Sequence, residues 1–279
     1  QSVEGISRLG APFDDYLDTD LTSSDFPFDR YKLYIFANTF YLSDKVREII
    51  DQRIKRNGNV LLWIYAPGYI TDNGLSVKAM SDTIGMEMKH LDLPGEVTDY
   101  TRSIQNNISG AKAVELQKGL DVYLIDYAHR ITKGLATDLR YGFRQSLTPV
   151  FSCIDKQAIV LGEGVSTSPT VWTFRQAGLC VREFKDWTSV WSAVPNIPSS
   201  LLRNIAGYAG VHIYGKGDDQ VFASERLLAI HTRYAGERII KLPKKCDVYD
   251  PFKKEYIAKK VEEFKVNLPA AFTGLWMLE

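Results

Sequence analysis

Two stretches, Tyr31–Ala37 (YKLYIFA) and Val60–Ala66 (VLLWIYA), are nearly continuous apolar runs of strand length. A strand with one wet face alternates polar and apolar residues, whereas a strand covered on both faces does not. Between the runs, Val46, Ile49, Ile50 and Ile54 fall at i, i+3, i+4 and i+8, which is one helical face. Ser43 is placed to cap that helix and Asn57-Gly58 to stop it. Strand, helix and strand in about 35 residues make a βαβ unit. The expected fold is therefore α/β, a mostly parallel sheet with flanking helices.

Pro67-Gly68 and Asp72-Asn73-Gly74 are turn signals, and Ser76 opens a helix carrying Val77, Met80 and Ile84. Further strands are expected around Val122–Ile125, Leu135–Phe143, Pro149–Phe151, Ala158–Leu161, Val171–Phe174, Val181–Phe184 and Ser189–Val194. A helix follows Pro198, with Leu201, Leu202 and Ile205 on one face and Gly210 as its stop. Residues 11 to 30 interleave six aspartates with Phe13, Tyr16, Leu17 and Leu21, a spacing that predicts a short helix with an acidic face. At the other end, Ser2–Leu9 reads as a helix stopped by Gly10. Beyond Gly215-Lys216-Gly217 the text changes to short alternating segments: 220–223, 227–231, 238–242, 247–249, 264–268 and 273–278. Two domains are expected, 1–215 α/β and 216–279 a small antiparallel β-sandwich.

Lys plus Arg and Asp plus Glu both number 34, so the chain lacks the basic excess of a nucleic-acid binder. No apolar run approaches the roughly 20 residues of a membrane-spanning helix. Cys153, Cys180 and Cys246 show no paired metal-ligand spacing and read as small buried hydrophobes. His90, His129, His212 and His231 form no H-E-x-x-H pattern, and hydrogen-bonded structural roles are expected for His212 and His231. No metal and no cofactor are expected: the first strand leads into Ala37-Asn38-Thr39-Phe40, without a Gly-rich phosphate cradle. The second leads into Tyr65-Ala66-Pro67-Gly68-Tyr69, where a nucleophile elbow would frame a Ser or Cys between glycines. No catalytic centre is legible. Three residues are candidates for ligand contact: Tyr69 beyond that strand, Glu163 in Gly162-Glu163-Gly164 read as a turn at a strand end, and Trp172 as a ring able to stack on a sugar.

Three groups of residues occur together in a recognisable order. They are Leu9-Gly10-Ala11-Pro12 with Asp15-Tyr16-Leu17; Tyr31–Phe40 with Leu61–Gly68; and Ser200-Leu201-Leu202-Arg203 with Ala209–Tyr214. This arrangement resembles the region after the catalytic barrel in bacterial β-galactosidases of glycoside hydrolase family forty-two. The resemblance implies a so-called trimerisation domain, a degenerate class I glutamine amidotransferase-like, flavodoxin-like fold, followed by a β-sandwich. It implies that the catalytic carboxylates lie on a (β/α)₈ barrel outside this chain, which starts at Gln1 and has its first methionine at Met80. The expectation is a non-catalytic C-terminal fragment of a larger glycosidase that serves domain packing and subunit assembly. Its implied partners are the missing barrel, further copies in a homotrimer, and carbohydrate. A periplasmic or secreted parent is expected. The rival readings are a carbohydrate-binding module and a stand-alone hydrolase with its site at the strand ends.

Overall fold

A computed structural model describes residues 3–91, 120–143, 147–166 and 175–279. They form two compact units, one from segments 18–129 and 136–196, the other from 1–17, 130–135 and 197–279. Helix α1 (Val3–Ser7) belongs to the second.

The first unit is built on a seven-stranded sheet. Strand β1 (Leu33–Phe36) leads through α2 (Asp44–Ile49) to β2 (Asn59–Ile64), and β1 pairs parallel to β2 as the apolar runs predict. The Ser43 hydroxyl accepts from the Val46 N–H, and the helix widens into a π turn over Ile50–Ile54. Asn57 and Gly58 then take positive φ, +58° and +73°. Every residue of β2 is buried. Trp63 stacks on Phe36 with centroids 4.3 Å apart. A small hairpin, β3 (Ile70–Thr71) and β4 (Gly74–Leu75), follows β2. Helix α3 (Val77–Ile84) is capped by Ser76, whose hydroxyl accepts from Ala79 N–H. Strands β5 (Met88–Leu91) and β8 (Val150–Cys153) pair apart from the main sheet.

The remaining strands are β6 (Leu120–Leu124), β7 (Arg140–Phe143), β9 (Ile159–Ser166), β10 (Arg175–Glu183) and β11 (Trp187–Ser192), and the sheet order is β1-β2-β11-β10-β9-β6-β7. Only the β1–β2 and β2–β11 pairings are parallel; the other four are antiparallel. The expected mostly parallel sheet is thus corrected to a mixed one. The physical reason is local. Only Phe184-Lys185-Asp186 joins β10 to β11, too short for the crossover that a parallel pair requires. Strand β6 also alternates, with Leu120, Val122 and Leu124 buried and Asp121 and Tyr123 half-buried, the pattern of a one-faced antiparallel strand. The strand expected at Val171–Phe174 lies outside the described residues.

One half-buried ion pair ties β10 to the turn before β9. Arg182 donates to Asp155 at 2.5 Å and to the Gly85 carbonyl at 3.0 Å. Asp155 also accepts from the N–H groups of Glu87 and Gln157. Burial pushes the Asp155 carboxyl up, but these N–H donors and Arg182 outweigh it and hold it below the ordinary carboxylate range. A carboxyl lowered by folding contributes stability that is complete above its unfolded pKa and lost as pH falls through the folded value. Asp155→Asn is expected to cost about 1–3 kcal/mol at neutral pH. It should also flatten the loss of stability below about pH 4, read from denaturant midpoints across the acid range. A parallel acid limb in parent and variant would rule the linkage out.

The second unit joins α1, α4 (Ser199–Tyr208) and a five-stranded antiparallel sheet of β12 (Gln220–Ala223), β13 (Leu227–His231), β14 (Gly236–Asp250), β15 (Glu255–Leu268) and β16 (Thr273–Leu278), in the order β12-β13-β16-β14-β15. Val221, Leu228, Ile240, Val248, Phe264 and Trp276 are among its core residues. Segments 238–242 and 247–249, which read as two strands, are one, bent by register shifts after Lys241 and Cys246. Pro243 inside the strand produced the apparent break. The sandwich expectation is met only as an antiparallel all-β sheet among the described residues. The edge strand β15 carries Lys259, Lys260, Glu262, Glu263 and Lys265, charges that discourage pairing with another chain.

The acidic helix expected over 11 to 30 is also corrected. Residues 18–22 and 28–30 form single 3₁₀ turns, and Leu17 is 70% exposed while Leu21 is buried. The helical spacing therefore buries no continuous face, and a short isolated helix is marginal in water without one.

Candidate functional site

Open sheets present ligand sites where parallel strands end. In this chain those are the exits of β1, β2 and β11. Beyond β1, Asn38 takes φ +59°; beyond β2, Tyr65 takes φ +65°. The two exit loops bond to each other, Gly68 N–H to Thr39 O and Ile70 N–H to Phe40 O, both at 2.8 Å. Arg47 of α2 secures them: one guanidinium nitrogen donates to Gly68 O at 2.7 Å, the other to the Thr83 hydroxyl at 2.6 Å. A cleft of about 480 Å³, lined by Asp44, Arg47, Asp51, Ser76 and Asp82 among others, opens beside them.

A bulky residue at positive φ costs about 1–2 kcal/mol and needs surroundings that hold it. Tyr65 has them. Its amide N–H donates to Ser192 O and its carbonyl accepts from the Trp191 indole, both at 2.8 Å. Its hydroxyl donates to Pro149 O at 2.6 Å, and its ring meets Phe40 and Phe151 edge-on. Burial raises the phenol pKa well above its ordinary value. The strand end thus holds a bulky residue at positive φ, and its side chain is a protonated phenol spent on a structural hydrogen bond. Tyr65→Phe keeps the ring contacts and leaves Pro149 O without that donor, so a loss of about 1–2 kcal/mol is expected in chemical denaturation. An unchanged midpoint would show the bond to be dispensable.

Tyr69 is half-buried, and its ring lies against Phe151 at 4.8 Å, itself 5.9 Å from His90. Glu163 is not in a turn. It lies inside β9, opposite Ala177 of β10 and Tyr123 of β6, and its carboxylate pairs with Arg175 at 3.1 Å. Its flanking glycines read as turn residues, yet they sit where strands approach closely: a Cβ on Gly162 would lie 2.9 Å from Val122 Cγ1. Glu163 shares the half-buried sheet face with Asp121 and Tyr123, and Arg140 donates to the Tyr123 hydroxyl at 3.4 Å. Tyr69 and Glu163 therefore belong to different local environments, one at strand ends and one on a sheet face. Trp172 lies outside the described residues. Sequence reasoning missed Tyr65, because a tyrosine carries no signal for positive φ, and missed Arg47, whose partners are carbonyls from distant segments.

Among the described residues no three His, Cys, Asp or Glu side chains group as a metal site. His212 and His231 bond to Lys241 O and the Thr273 hydroxyl, as their structural reading predicts. All three cysteines are buried and free. No helix among the described residues is long and apolar enough to cross a membrane.

No protein family and no curated protein matches the sequence. Solved structures do. The β-galactosidase of Rahnella sp. R3 superposes with a TM-score of 0.60 at 13% identity, over 98% of this chain and 35% of its own. The β-galactosidase of Bacillus circulans sp. alkalophilus gives 0.56 at 15% identity, over 90% and 33%. By fold, the chain matches a piece of a β-galactosidase. Gan42B, a GH42 β-galactosidase of G. stearothermophilus, gives 0.53 at 11% identity, over 98% and 34%. The chain spans about a third of the length of each of these β-galactosidases.

Proposed function

We propose that this chain is the non-catalytic C-terminal part of a β-galactosidase-like glycoside hydrolase and that it serves domain packing and subunit assembly. The observation that carries this reading is the extent of the match: nearly the whole chain aligns with about a third of each β-galactosidase, which leaves room for a separate catalytic domain. The strand-end chemistry agrees with it. The elbow position holds Tyr65, bonded to Pro149 O, and Glu163 is engaged by Arg175. In the same reading, residues 1–215 are a flavodoxin-like domain of class I glutamine amidotransferase ancestry and residues 216–279 a sandwich domain. The (β/α)₈ barrel, two further subunits and carbohydrate are the partners, and the parent enzyme is periplasmic or secreted.

Two measurements test it. An antibody to this chain should detect a native polypeptide about three times as long, and the purified chain should hydrolyse no aryl β-galactoside. A native polypeptide of only 279 residues would end the fragment reading. Turnover by the purified chain that Glu163→Gln abolishes would replace it with a stand-alone hydrolase.

A further inference from the structure

The five-stranded sheet is apolar on both faces of three of its strands. Its core takes Val221, Leu228, Ile230, Trp276 and Leu278. The residues between them, which point to the opposite face, are apolar too. Pairing sets Phe222 of β12 beside Ala229 of β13, and Ala229 beside Leu275 of β16. In the next row Leu227 lies beside Met277, Met277 beside Tyr249 of β14, and Tyr249 beside Tyr256 of β15. Phe222, Leu227, Met277 and Tyr256 are 57%, 45%, 37% and 44% exposed. Strands with apolar residues on both faces belong to sheets covered on both sides, and a contiguous exposed apolar face marks an interaction surface. We propose that this outer face is the seat on which the catalytic domain of the same polypeptide docks.

The inference rests on the chain being part of a longer β-galactosidase-like polypeptide. Nearly the whole chain aligns with about a third of each matched β-galactosidase, so about two-thirds of such a polypeptide lies outside it. A domain joined covalently meets the face at an effective concentration of order millimolar, which a second copy of the chain lacks. The character of the face also selects a permanent partner. No charged residue interrupts the rows formed by Phe222, Leu227, Ala229, Leu275 and Met277, and interfaces that resemble a divided domain core are the obligate ones. The matching patch on the catalytic domain is therefore apolar, and the two surfaces stay closed through turnover.

Met277 reports on the cover. The chain has four methionines, and Met80, Met86 and Met88 are buried. Hydrogen peroxide transfers one oxygen atom to an accessible thioether, giving the sulfoxide and water. In the purified chain Met277 should oxidise about tenfold faster than the other three. In the longer native polypeptide, isolated with an antibody to this chain, it should react as slowly as they do. Phe222→Asp in the longer polypeptide should restore fast oxidation of Met277 and leave the number of subunits, measured by light scattering, unchanged. Equal rates at Met277 in the two samples would overturn the docking proposal and leave the fragment reading standing. Slow oxidation in the purified chain, or a change in subunit number in Phe222→Asp, would assign the face to a second copy and overturn it too. A native polypeptide of only 279 residues would remove the fragment reading itself, and the docking proposal with it.

Discussion

Gly178→Ala is expected to destabilise the seven-stranded unit by about 3 kcal/mol or more. The β9–β10 ladder pairs Ala177 with Glu163 and then Leu179 with Gly162, so Gly178 is the extra residue of a bulge. A Cβ there would lie 2.5 Å from the Gly164 backbone nitrogen and 2.8 Å from Val122 Cγ2. A side chain can rotate away from such a clash, but the Gly164 backbone is held in the ladder, so β9 and β10 must separate. Gly178 O also accepts from Ala193 N–H at 2.8 Å, so the movement would disturb the chain beyond β11 too. Gly207→Ala is the control. It lies in α4 with nothing within 4 Å of a new Cβ, and replacing a helical glycine should stabilise by about 0.5–1 kcal/mol. Denaturant midpoints at equal m-value decide the matter. A Gly178→Ala chain within 1 kcal/mol of the parent would mean that β9 and β10 are not packed this closely.

The same glycines explain why the sheet was only half legible. Signals carried by adjacent residues survived: the Ser43 and Ser76 caps, the apolar runs of β1 and β2, and strands β12, β13 and β16, which run between the bounds that alternation predicts. Gly10 and Gly210 both take positive φ where helix stops were expected. Gly162-Glu163-Gly164 misled because glycine in a turn and glycine under a crossing strand look alike in one dimension. The consequence reached the site, since Glu163 was placed at a strand end and lies instead inside β9. Strand direction was equally hidden. Continuous burial marks β2 and the later half of β11, which are parallel neighbours. Strands β8 and β10 also contain buried runs, yet they pair antiparallel with β5 and β9. Burial on both faces reports what covers a strand, not which way its neighbour runs.

Tyr65 illustrates a different limit. Its backbone conformation is set by partners far away in sequence: Pro149, Phe151, Trp191 and Ser192. The absence of a framed serine or cysteine was readable from Tyr65–Tyr69; the positive φ of Tyr65 was not.

Arg203→Ala should cost the second unit about 3 kcal/mol. Arg203 stands on α4 and donates to three backbone carbonyls from two distant segments: Leu9 O and Arg8 O at 2.9 Å, and Gly217 O at 2.7 Å. Burial lowers its pKa, and the charges of Asp218 and Asp219 partly offset that effect. The group therefore stays cationic at neutral pH and makes charge-assisted bonds, each stronger than a neutral one. Removing it leaves three carbonyls to find water in a half-buried site and frees the Arg8–Gly10 segment from α4. Arg203→Lys should recover little, because one ammonium cannot reproduce the planar fork that spans the three acceptors. Hydrogen exchange offers the sharper readout. The Tyr214 N–H bonds to Gly10 O at 2.8 Å, so its protection should fall in Arg203→Ala, while the all-buried strand β2 of the other unit keeps its own. Equal loss of protection in both units would show that Arg203 supports global folding rather than this local clamp.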